Sequence, residues 1–111
     1  NTVQIQSQME MSDEAHAAVA EGMRKVANVS GGTAYKTFKE YPITVCAKTG
    51  TAQTGQFSGG TELKNYWFAG FVPAEQPRYT IVVLQDTQAE PAFSSAAIFA
   101  RVAAGLEILA P

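Results

Sequence analysis

The sequence predicts an α+β layer, an antiparallel three-stranded sheet covered by an N-terminal and a C-terminal helix, and three patterns carry that expectation. Apolar residues at Ala15, Val19, Met23 and Val26 recur at spacings of four, four and three, one stripe of a helix. The middle of the chain changes to period two and to β-branched runs separated by turn residues. A second helical stripe, Ile98, Val102, Leu106 and Leu109, closes the chain. Each element has one face to bury, and helices laid on a sheet bury them together.

In chain order, Asn1 to Met11 reads as an extended lead-in with weak alternation at Val3 and Ile5. Ser12 then suits an N-cap, and Asp13 and Glu14 place negative charge where the helix dipole favours it. Ser30, Gly31 and Gly32 mark the stop, with Arg24 and Lys25 suiting the C-terminal end of the dipole on a solvated face. Tyr35, Phe38 and Tyr41 follow, either over the sheet or along a groove. From Pro42 the pattern is Ile43, Val45 and Ala47 on one side and Thr44 and Cys46 on the other, a strand running into Lys48, Thr49, Gly50 and Thr51.

Gln53 to Asn65, polar and containing Gly55, Gly59 and Gly60, reads as a loop at the lip of a groove. Tyr66 to Val72 makes the second strand, in which Trp67, Phe68 and Phe71 are expected in the core. After a turn from Pro73 to Pro77, the near-continuous run Tyr79 to Leu84 suggests a central strand buried on both sides. Gln85 to Phe93 is a polar loop with Pro91, and Ser94 or Ser95 can cap the last helix. An open sheet edge is expected, a site for pairing with missing strands or for self-association.

Composition removes several functions. With 8 basic and 10 acidic residues the net charge is −2, which gives no footprint for nucleic acid. The longest apolar stretches, Ile81 to Leu84 and Ser95 to Ala100, fall far short of the roughly 20 residues of a membrane span. The first residues lack the basic and apolar pattern of a signal peptide, so any export signal or anchor is expected upstream. Cys46 is alone and His16 is the only histidine, which argues against an internal disulfide or a metal site, and no cofactor is expected. Cys46 reads as a small packed hydrophobe. His16, at the stripe's boundary or exposed, has no neighbour in sequence to orient it as a base.

Chemistry concentrates in Val45-Cys46-Ala47-Lys48-Thr49-Gly50-Thr51-Ala52-Gln53. A strand interior avoids both lysine and glycine unless something approaches it there. Glycine removes the Cβ that would hold a ligand off the backbone, and hydroxyls with an ammonium can hold a carboxylate. Together they describe a receptor for the end of a peptide.

The context adds more. Gly32-Thr33-Ala34 ends the first helix, and Trp67-Phe68-Ala69-Gly70-Phe71-Val72-Pro73 follows the glycine-rich passage. In this order these segments resemble the penicillin-binding protein family, particularly its monofunctional class B D,D-transpeptidases, over almost the whole chain. Lys-Thr-Gly is the third motif of a set that also contains Ser-x-x-Lys and Ser-Asp-Asn. None of Ser7, Ser12, Ser30, Ser58, Ser94 or Ser95 begins a Ser-x-x-Lys or a Ser-x-Asn. Residues 1–111 therefore read as the C-terminal portion of one transpeptidase domain, inactive alone, whose serine motifs lie upstream.

The resemblance implies acyl transfer from the D-Ala-D-Ala end of a peptidoglycan stem peptide, acylation by β-lactams, and work outside the cytoplasmic membrane of a bacterium. It implies catalytic roles for Lys48 and for the backbone N–H of Thr51 as an oxyanion donor. Thr49, Gly50, Thr51, Ala52 and Gln53 would bind substrate, the last two by backbone pairing. Strict alternation sends Lys48 and Thr49 to opposite sides of the strand, a conflict that an edge position eases. Two other readings stay open, a class D β-lactamase or β-lactam sensor fragment, and a non-catalytic αβββα binding module with an exposed sheet edge.

Overall fold

The computed structural model describes the backbone of residues 2–109 and the side chains of residues 2–107. Asn1, the first residue of the lead-in, and the expected burial of Leu109 lie outside the described residues. The element order is α1 (Asp13–Asn28), α2 (Tyr35–Phe38), β1 (Cys46–Ser58), β2 (Thr61–Val72), β3 (Tyr79–Gln88) and α3 (Ser95–Leu109). The strands form one antiparallel sheet in the order β1-β2-β3, the predicted α+β layer.

Helix α1 begins where Ser12 accepts a hydrogen bond from the Ala15 N–H at 3.1 Å, and Asp13 and Glu14 occupy its first turn. It ends before Gly31, whose φ of +95° only glycine adopts without strain. The inward face differs from the predicted stripe: Ala27 is fully buried and Ala20 and Met23 are half-buried, whereas Ala15 and Val19 face outward. The packing explains this, because α1 lies along the start of β1 and needs small residues there. Asn28 ties the two elements together by donating from Nδ2 to the Val45 carbonyl at 2.8 Å.

Helix α3 shows the same kind of rotation. Ala96, Phe99 and Ala103 are buried and Leu106 packs against them, while Val102 of the predicted stripe is exposed. Alanines let the helix approach the sheet closely enough for Phe99 to meet Phe68 edge-on, ring centroids 5.0 Å apart. Phe38 of the unpredicted short helix α2 stacks on Phe68 at 5.9 Å, and Tyr41 donates its hydroxyl to the Ala100 carbonyl. Of the two placements open to them, Phe38 and Tyr41 take the one over the sheet. The core therefore lies on a single face, where Ala47, Phe68, Val72 and Ile81 meet α2 and α3.

Three further expectations are corrected. Gln53–Asn65 is not a loop: β1 runs to Ser58 and β2 starts at Thr61, joined by Gly59 and Gly60 with φ of +58° and +85°. Two consecutive positive φ values match the right-handed twist of a two-residue hairpin, and Gly55, at φ +75°, sits in the register shift between Gln53 and Phe57. Second, β3 is not buried on both sides: Ile81 points into the core, but Val82 and Leu84 on the other face are 59% and 45% exposed. Third, Trp67 shares that outer face and is 42% exposed, so of the three aromatics Phe68 alone is fully in the core.

One glycine of β2 is demanded by the fold. A Cβ at Gly70 would lie 2.3 Å from the Cys46 carbonyl oxygen and 3.0 Å from Ala47 Cβ, so β1 approaches β2 there only because the side chain is missing. Among the described residues no helix is long and apolar enough to cross a membrane.

Candidate functional site

Strand β1 is an edge of the sheet, paired with β2 alone, in a register that sets Thr49 opposite Phe68, Gly50 opposite Trp67 and Thr51 opposite Tyr66. A cavity of about 350 Å³ opens beside this stretch. Thr49, Gly50 and Thr51 line one side of it, Thr33 and Thr37 another, and Gln85, Ser94 and Ser95 a third. Its wall is rich in hydroxyls and also includes Tyr66, Trp67 and Phe68.

The third side is held by a small polar network. Ser94 accepts from the Ala97 N–H at 3.0 Å and so caps α3. Ser95, the other cap named by the sequence, is buried and donates to Gln85 Oε1 at 2.6 Å, while Gln85 Nε2 donates to the Phe93 carbonyl at 2.9 Å. These bonds hold the first turn of α3 at the cavity, so the positive end of its dipole lies at the wall of the same cavity as Thr49, Gly50 and Thr51.

The predicted site residues are distributed as follows. Thr49, Gly50 and Thr51 come together at the cavity. Lys48 does not line it: the side chain is exposed, on the opposite face from Thr49 as alternation requires, and Nζ donates to the Thr49 carbonyl. Ala52 and Gln53 also lie outside the cavity, exposed further along the same edge. Sequence reasoning gave no role at the site to Thr33, Thr37 or Gln85, and gave Ser94 and Ser95 only a capping role. Only Thr33 carried a signal, as the middle of the Gly-Thr-Ala turn; its Oγ1 lies 3.3 Å from Thr49 Oγ1.

Gly50 differs from Gly70. A Cβ built at Gly50 would meet only Trp67 Cβ, at 3.5 Å, an ordinary contact. The fold leaves room for a side chain there, so packing within the chain does not account for the glycine.

Cys46, in the same strand, is buried, with its thiol against the Ala20 carbonyl at 3.5 Å. Burial pushes its pKa up, and this together with the Glu21 and Glu75 carboxylates outweighs the Arg24 guanidinium. A thiol held neutral and enclosed is a packed hydrophobe and not a nucleophile.

Comparison with known proteins adds the family. Residues 1–104 match the family model described as the penicillin binding protein transpeptidase domain. The chain belongs to the penicillin-binding protein transpeptidase family. Among solved structures, a complex between penicillin-binding protein PBP2 and MreC from Helicobacter pylori aligns at 30% identity with a TM-score of 0.69, over 84% of this chain and 17% of that one. Penicillin-binding protein 2B of Streptococcus pneumoniae aligns at 16% identity and TM-score 0.81, over 96% of this chain and 17% of that one. Pseudomonas aeruginosa PBP2, solved with WCK 5153, aligns at 23% identity and TM-score 0.67, over 93% and 21%. The last two, at such low identity, show the shared fold. The chain thus spans between 17% and 21% of the length of these penicillin-binding proteins. A search of curated protein sequences gives no match.

Proposed function

We propose that this chain supplies the Lys-Thr-Gly strand of a serine D,D-transpeptidase that cross-links peptidoglycan, residues 1–111 being the C-terminal portion of its transpeptidase domain. The observation that carries the reading is a hydroxyl-lined cavity beside Thr49, Gly50 and Thr51 on an edge strand of a penicillin-binding transpeptidase fold. The carboxylate at the end of a D-Ala-D-Ala stem peptide accepts hydrogen bonds from the Thr49 and Thr51 hydroxyls, in the field of the α3 N-terminus. Gly50 lets the substrate lie against the strand, and the backbone of Ala52 and Gln53 extends that pairing.

A serine outside this chain attacks the penultimate carbonyl carbon. Its Oγ–C bond forms, the C–N bond to the terminal D-Ala breaks, and that residue leaves as an amine carrying a proton. The amine of a second stem peptide then attacks the ester, releasing the serine and completing the cross-link. The Thr51 N–H serves as one donor to the oxyanion formed at each attack. Lys48 turns from the Thr49 carbonyl toward the reacting groups when the rest of the domain is in place, adding positive charge at the carboxylate and the serine motifs. β-Lactams enter by the same route and remain as the acyl-enzyme. Peptidoglycan substrate locates the work outside the cytoplasmic membrane, in the bacterial cell envelope.

The test is covalent labelling of the full-length protein by a fluorescent penicillin. Wild type is labelled, Lys48→Ala is labelled about a hundredfold more slowly, and residues 1–111 alone, with no Ser-x-x-Lys, take no label. Labelling of the isolated chain, or an unchanged rate in the variant, contradicts the reading.

A further inference from the structure

The Gly32-Thr33-Ala34 turn is built to hold its middle residue still. A Cβ at Gly32 would lie 2.3 Å from the Lys25 carbonyl oxygen and 2.4 Å from that of Val26, so the turn is pressed onto the last turn of α1. Ala34 is 4% exposed and donates its N–H to the Val26 carbonyl at 3.0 Å. The Gly32 N–H donates to the Val29 carbonyl at 2.9 Å, and the Tyr35 N–H to that of Gly32 at 3.2 Å. Both neighbours of Thr33 are thus fixed to a helix that Asn28 also ties to the start of β1.

Between these anchors Thr33 faces outward to the cavity, its Oγ1 within 3.3 Å of Thr49 Oγ1. No packing role accounts for this hydroxyl, since the residue is exposed. A hydroxyl has one proton to give and can accept two. If the proton of Thr49 goes to Thr33, none is left for an anion in the cavity. If the proton of Thr33 goes to Thr49, the Thr49 proton is free to point into the cavity, and each bond of the chain polarises the next.

We infer that Thr33 is a positioning residue for this site: its hydroxyl donates to Thr49 Oγ1 and so directs the single Thr49 proton onto the carboxylate of a bound ligand. The inference rests on the carboxylate-binding role proposed above. Without a ligand, water can serve either hydroxyl and the pair contributes little. Its effect appears when a ligand displaces water and leaves Thr49 one acceptor to serve.

The experiment uses the full-length protein and the second-order rate of acylation by a fluorescent penicillin, with melting temperature recorded for each variant. Thr33→Val is acylated about tenfold more slowly, as the loss of one hydrogen bond in a charge-assisted chain implies. Thr33→Ser, which keeps the hydroxyl, restores the wild-type rate. Thr33→Val with Thr49→Val is no slower than Thr49→Val alone, because without Thr49 the donor has nothing to direct. A wild-type rate in Thr33→Val with a reduced rate in Thr49→Val overturns the role of Thr33 and leaves the carboxylate site intact. A wild-type rate in Thr49→Val overturns the carboxylate site, and this inference with it. Slow acylation of Thr33→Ser, or effects that multiply in the double variant, shows that Thr33 acts by packing and also overturns the inference.

Discussion

Gly50 and Gly70 stand opposite neighbouring stretches of the same pair of strands, yet they are glycine for different reasons. At Gly70 a Cβ would collide with the β1 backbone at 2.3 Å; at Gly50 it would only touch Trp67 at 3.5 Å. Gly70→Ala should therefore destabilise the protein by about 1–3 kcal/mol, the usual cost of forcing extra volume into a packed site. Gly50→Ala should melt at or above the wild-type temperature, because alanine gives up less chain entropy on folding, and should still lose penicillin acylation. Thermal melts and labelling rates of the two variants check this. A Gly50→Ala protein that acylates normally would remove the ligand-based account of that residue. Gly50 was visible in sequence as an anomaly in a strand, with Lys48 beside it, whereas Gly70 appeared only as one residue of the Trp67–Pro73 segment. Which glycine served the fold was not visible, because it depends on how closely the two backbones approach.

Elements were legible where the signal is local. The Ser12 cap, the stop at Ser30–Gly32 and the strands Tyr66–Val72 and Tyr79 onward follow from residues within a turn or two of each other. The inward faces of α1 and α3 were not, because the bulkier residues Val19 and Val102 outline a helical stripe as well as the alanines that are buried. Close packing on the sheet selects Ala27, Ala96 and Ala103, and that selection is tertiary. The 53–65 hairpin was missed because glycine and polar residues outweighed the pairing rule, although Gly59-Gly60 between two strands is a two-residue hairpin signal. At the cavity the decisive element is the capped start of α3. Ser94→Ala should lower stability by about 1 kcal/mol, the usual cost of losing an N-cap. Urea unfolding measures it, and an unchanged midpoint would mean that Ser94 is not the cap in solution.

At the scale of the molecule the sheet has one dressed face and one bare one. Helices α2 and α3 cover the side of Phe68 and Ile81; Trp67, Val82 and Leu84 on the other side are open, and β3 is an unpaired edge. The radius of gyration, 15.9 Å, exceeds the roughly 13 Å of a compact domain of this length, in keeping with the exposed lead-in and the exposed end of the β1–β2 hairpin. The β-branched run Tyr79–Leu84 suggested burial on both sides, and the second cover is the task we assign to the remainder of the transpeptidase domain. Residues 1–111 alone should accordingly self-associate and bind a hydrophobic dye, both reduced by Val82→Lys. Sedimentation showing a dye-free monomer would mean that the bare face needs no partner. The central claim is the carboxylate clasp, and its most direct test is a crystal structure of the full-length protein acylated by a penicillin. The account predicts the drug's carboxylate within hydrogen-bonding distance of the Thr49 and Thr51 hydroxyls, with Gly50 against the ligand; a carboxylate held elsewhere, with those hydroxyls facing water, would contradict it.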